Sequence, residues 1–158
     1  PKITDITHIT NDMIKDANSR MNVIEECIKF LRDNSNRGPI YLISHNGHCF
    51  DFLIFRRLIH EYNSSNSEKT IDNRFLNRLR YVDSLLLSKL FLRDERVNQP
   101  GLCRRYNIIN NMEHRAIGDV IALEKLYITI CEQYSHNKGY SYNYYLEKPE
   151  EIIRDCFI

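Results

Sequence analysis

Apolar and polar positions switch between two periods along the chain, and the switches predict its elements. Ile24, Cys27, Ile28 and Leu31 recur at helical spacing and predict a helix over 18–32. A polar break over 34–38 closes on Gly38-Pro39, a turn signal. The uninterrupted run Ile40-Tyr41-Leu42-Ile43 predicts a short strand buried on both faces. Phe52, Phe55, Leu58 and Ile59 form the core face of a helix predicted over 51–62. Residues 63–73, rich in Ser and Asn, read as a surface loop. A second strand is expected over 80–83 and a helix over 85–92, followed by a turn at 98–101 that contains Pro100. A long helix is expected over 115–133, with Ile117, Val120, Ile121, Glu124 and Ile128 in sequence along it. Residues 135–143 read as a loop. Pro149, Glu150 and Glu151 then stand where the first turn of a short final helix favours them. Residues 1–12, rich in Ile and Thr, read as extended. Strands alternating with helices predict an α/β architecture.

Composition narrows the class. A length of 158 residues fits one domain, and 42% hydrophobic residues are enough for a packed core. A formal net charge of +1 argues against a polycationic clamp on nucleic acid. The five cysteines are odd in number, widely spaced and free of any C-x-x-C. They suit a reducing compartment, so an intracellular protein of the cytoplasm or nucleus is expected. No apolar run reaches about 18 residues, and no membrane span is expected. The start has no signal-peptide pattern, and Pro1 in place of Met reads as processing, trimming or a fragment.

Three segments carry candidate chemistry. Ser44-His45-Asn46-Gly47-His48-Cys49-Phe50-Asp51-Phe52 leads from the first strand into a helix. Asp51 therefore stands near a strand's C-terminal end, where open α/β sheets place ligands. Alone, it reads first as a helix cap beside an Asn46-Gly47 turn. His114 and Asp119 are separated by four residues, about 140° around a straight helix. They converge only if His114 precedes the helix and Asp119 lies in its early turns. An imidazole with a pKa near 6.5 suits a general base, while a surface His and a solvated Asp are the ordinary alternative. The strand of Tyr81-Val82-Asp83-Ser84-Leu85 ends in an Asp, best read alone as a helix cap.

Read together, these segments resemble a known family. His45-Asn46-Gly47 with Phe50-Asp51-Phe52 is similar to the second motif of DnaQ-like, DEDDh 3′-to-5′ exonucleases, nearest the TREX-like (three-prime repair exonuclease) branch. Val82-Asp83-Ser84-Leu85 resembles the family's "VDSL" strand. His114-Arg115-Ala116, Asp119-Val120 and Ala122-Leu123 resemble its third motif, and Ile6-Thr7-His8-Ile9-Thr10 the lead into its first helix. The resemblance covers about 3–130, with 135–158 as a family-variable tail.

The resemblance implies an RNase H-like α/β fold, a mixed sheet flanked by helices. It implies two Mg²⁺ or Mn²⁺ ions about 3.5–4 Å apart, hydrolysing a nucleic-acid 3′ end to nucleoside 5′-monophosphates. Asp51 and Asp119 are the implied metal ligands, His114 the general base, and Asn46 and Phe50 the shapers of the terminal-nucleotide pocket. A nucleic-acid 3′ end is the implied substrate, single-stranded DNA ahead of RNA although no residue in the sequence separates the two, and the same resemblance admits a homodimer. The family's first motif, Asp-x-Glu, occurs nowhere in the 158 residues. The chain is therefore expected to lack the family's N-terminal strands, leaving 40–43 as an exposed apolar edge. It is then either the C-terminal part of a longer exonuclease or an inactive relative that binds nucleic acid or protein. Residues 74–105 carry eight basic side chains against three acidic ones, an excess of +5 that suits a phosphate backbone or simply a solvated surface. Zinc at His45, His48 and Cys49 is disfavoured, because no distant Cys/His pair completes a tetrahedron.

Overall fold

The computed structural model describes residues 2–65, 70–92, 97–110 and 115–156. They fall into two compact units, Pro1–Leu42 with Gly47–Tyr81 and Ile43–Asn46 with Val82–Ile158.

The first unit opens with α1 (Lys2–Thr7) and α2 (Asn11–Lys15). This corrects the extended reading of 1–12. The Thr10 side chain accepts the Met13 N–H at 3.3 Å and starts α2. A strand needs a neighbour for its backbone groups, whereas a helix closes its own. Helix α3 (Arg20–Asp33) starts at Ser19, whose hydroxyl accepts the Asn22 N–H, and it buries Ile24 and Ile28 as expected. Strand β1 (Ile40–Ser44) leads to α4 (Asp51–Ser65), and α5 (Asn73–Leu76) precedes β2 (Leu79–Asp83). Ile24, Ile28, Ile40, Ile59, Tyr62 and Phe75 belong to this unit's core. The Asn63 side chain holds the Ile71 backbone at both its N–H (2.7 Å) and its C=O (3.2 Å).

The strands pair in parallel, starting from the Ile40 N–H to the Arg78 C=O at 2.8 Å. Among the described residues the sheet has these two strands and no mixed pairing. The double-sided burial expected of β1 holds only for Ile40, and Tyr41 to Ser44 are half-buried; with one partner strand among the described residues, β1 is an edge of this sheet, as expected.

In the second unit, α6 (Ser84–Phe91) follows β2 directly. The turn expected at 98–101 is instead the start of α7 (Gln99–Arg105). The Asn98 side chain accepts the Gly101 N–H at 2.8 Å, and Pro100 lies in the first turn, where its missing N–H costs nothing. Helix α8 (Ala116–Asn137) runs further than expected. It buries Gly118, Ala122, Leu126 and Ile130 at every fourth position, together with Tyr127, Cys131 and Ser135, while Ile117, Val120, Ile121 and Ile128 are exposed. Two short helices close the chain, α9 (Tyr144–Glu147) and α10 (Pro149–Cys156), the latter as predicted. Val97, Leu102, Leu126 and Ile130 form a core cluster. Among the described residues no helix is long and apolar enough to cross a membrane.

Candidate active site

The end of β1 is held in the second unit. Asn46 has a φ of 67°, a left-handed conformation that Asn tolerates better than most side chains. Its N–H donates to Asp83 Oδ1 at 2.8 Å, and the Leu85 N–H donates to the same oxygen at 3.0 Å. Asp83 is buried at the end of β2 and caps α6, the role its sequence position predicts. Beside it, His45 Nδ1 lies 2.9 Å from Oγ of the fully buried Ser84. Burial pushes the His45 pKa below the ordinary value, opposed by the Val97 backbone and the Asp83 carboxylate. Among the described residues the buried Nε2 of His45 has no hydrogen-bond partner of normal geometry.

In the first unit, the Gly47 C=O accepts the Phe50 N–H (3.2 Å) and the Phe52 N–H (2.9 Å), turning the chain into α4. Phe52 is buried against Tyr81, with ring centroids 4.9 Å apart. Phe50 is 64% exposed, and Asp51 is exposed as the first residue of α4. A helix N-terminus favours a carboxylate there.

Asp119 stands in the first turn of α8, in the second unit. Its Oδ1 accepts from Asn110 Nδ2 at 2.9 Å, and its backbone C=O accepts from Gln99 Nε2 at 2.8 Å. These three residues line one cavity of about 240 Å³ with Pro100, Cys103, Arg104 and Ile108. Asn110 and Gln99 escape a reading of the sequence. They stand nine and twenty positions from Asp119, and neither spacing marks a contact. His114 lies outside the described residues.

The basic stretch divides. Arg78 reaches the Gly38 C=O (2.9 Å), Ser35 Oγ (3.0 Å) and the Asn36 C=O, and Arg80 reaches the Asn77 and Leu79 carbonyls. These two pin turns. Arg74, Lys89, Arg104 and Arg105 are exposed, and Arg93 and Arg96 lie outside the described residues.

A family model described as RNase_T, exonuclease, matches residues 1–127. The chain belongs to the RNase_T exonuclease family. Membership carries a nuclease function, a nucleic-acid substrate and an RNase H-like α/β fold. No curated protein matches the chain. RNase_T exonucleases generally use divalent metal ions. Asp51 and Asp119 suit such ions in kind, as hard oxygen donors. Among the described residues no group of three or more His, Cys, Asp or Glu is placed to hold a metal, so the set is incomplete there.

Proposed function

We propose that this RNase_T exonuclease removes nucleoside 5′-monophosphates from the 3′ ends of single-stranded DNA, on the TREX-like pattern. The reading is carried by one observation above all: Asp119, the motif carboxylate, stands in the first turn of α8, oriented by Asn110 beside a cavity.

Asp51 and Asp119 would hold Mg²⁺ or Mn²⁺ together with carboxylates from outside these 158 residues, since Asp-x-Glu is absent from them. Bound divalent ions supply charge for the scissile phosphate and lower the pKa of water. His114 removes the proton of the attacking water. The exposed Phe50 ring stacks on the terminal base, and Asn46, held in its left-handed turn, contacts the terminal nucleotide.

The test is a 5′-labelled single-stranded oligonucleotide incubated with Mg²⁺. A ladder shortening from the 3′ end, lost in Asp119→Ala, supports the proposal. The absence of Asp-x-Glu favours a second reading, an inactive relative that binds nucleic acid. Binding without turnover, persisting in a form extended upstream to include Asp-x-Glu, would establish that reading instead.

A further inference from the structure

Beyond the family match, the second unit carries an aromatic surface. Tyr134, Tyr140, Tyr142, Tyr144 and Tyr145 supply half of the chain's ten tyrosines, and no acidic residue occurs between Glu132 and Glu147. A lower layer anchors it. Tyr145 is fully buried, and Tyr134 lies between Tyr145 (5.0 Å) and a stacked Phe91 (3.8 Å). Two further stacked pairs occur, of which Tyr140 with Tyr144 packs edge-on against Tyr145 (5.9 and 5.0 Å). His136 and Tyr142 are 5.2 Å apart and 8° from parallel; Tyr140 and Tyr144 are 4.2 Å apart at 24°. Tyr140 and Tyr142 are 44% and 57% exposed. The geometry is fixed by Gly139, whose φ of 78° ends α8 and turns Tyr140 back so that its N–H reaches the Ser135 C=O at 2.9 Å. Lys138 lies 5.4 Å from the Tyr134 ring centroid, and Lys148 lies 4.9 Å from that of Tyr144.

We propose that this surface is an accessory platform for single-stranded nucleic acid, in which bases stack on Tyr142 and Tyr140 while Lys138 and Lys148 meet the phosphates. Exposed rings held in fixed planes stack on any base, and lysines on the neighbouring Tyr134 and Tyr144 rings favour a polyanion over other flat ligands. A nucleic-acid substrate for the family gives such a surface an occupant.

The experiment is fluorescence anisotropy of the full chain with labelled oligothymidylate, in EDTA so that hydrolysis does not interfere. Tyr140→Ala/Tyr142→Ala should raise Kd about tenfold. Tyr142→Phe should leave it unchanged, since stacking does not use the hydroxyl. Lys138→Gln should weaken binding less and make it less salt-dependent. The 3′-end ladder run with Tyr142→Ala at saturating substrate reads the proposed catalytic activity separately, so that either reading can fail alone. If the double variant is not folded by circular dichroism, Tyr142→Ala alone decides, with a Kd raised about fivefold. The proposal is overturned if the folded alanine variant binds as tightly as the parent, or if an abasic strand of equal length binds as well as oligothymidylate.

Discussion

Asp83 Oδ1 lies 2.8 Å from the Asn46 amide nitrogen, so a buried carboxylate at the end of β2 holds the left-handed residue just beyond β1. The same oxygen starts α6 through the Leu85 N–H. One side chain thus fixes a helix start and the turn that carries a proposed substrate contact. Asp83→Ala leaves both amides without this acceptor and should cost about 2–4 kcal/mol. Asp83→Asn retains a carbonyl oxygen and should lose about half as much. Urea unfolding of the three proteins measures the difference, and equal midpoints would remove the clamp from the account.

Backbone and side chain can be separated at Asn46. Its φ of 67° suits Gly, so Asn46→Gly should change stability by less than about 0.5 kcal/mol, whereas Asn46→Ala should cost about 1 kcal/mol. If the side chain contacts the terminal nucleotide, Asn46→Gly should raise KM several-fold while leaving the melting temperature in place. A KM equal to the parent's would take Asn46 out of the substrate pocket.

Asn110 donates to the proposed metal ligand at 2.9 Å. Removing a hydrogen bond that orients a ligand typically weakens metal binding about 10–100-fold. For Asn110→Ala, half-maximal turnover should therefore need at least about tenfold more Mg²⁺, with turnover recovered at saturation. A metal titration of turnover checks this. An unchanged Mg²⁺ requirement would mean that Asn110 only braces α8.

Stability should also depend on His45. Burial holds its folded pKa below the unfolded value, so the unfolded chain binds more protons in that interval. The contribution of this group is intact above the unfolded pKa near 6.5 and is lost as pH falls through the folded one. Urea midpoints should fall as pH is lowered from about 7 to 5.5, and the fall should be smaller in His45→Asn. Identical pH dependence in the two proteins would assign the effect to other groups.

Much of the secondary structure is legible in the residues. Ile24 and Ile28 mark α3, Phe52 and Ile59 mark α4, and the Pro149-Glu150-Glu151 start marks α10, because spacing and first-turn chemistry are local properties. Two readings failed where local cues are ambiguous. The Ile- and Thr-rich start forms helices, and Pro100 opens α7 within what resembled a bare turn. Along α8, apolar residues occur on more than one side, so periodicity does not reveal that Gly118, Ala122, Leu126 and Ile130 form the buried row.

The sequence by itself determined the family, through motifs whose order and spacing survive without any fold, and it named Asp51, His114 and Asp119 as candidates. Tertiary structure alone decided what surrounds Asp119 and Asn46. Asn110 and Gln99 meet Asp119, and Asp83 meets Asn46 across 37 positions, because folding brings distant backbone and side-chain groups into hydrogen-bonding range. Such contacts depend on the path of the chain in space and leave no periodic trace along it.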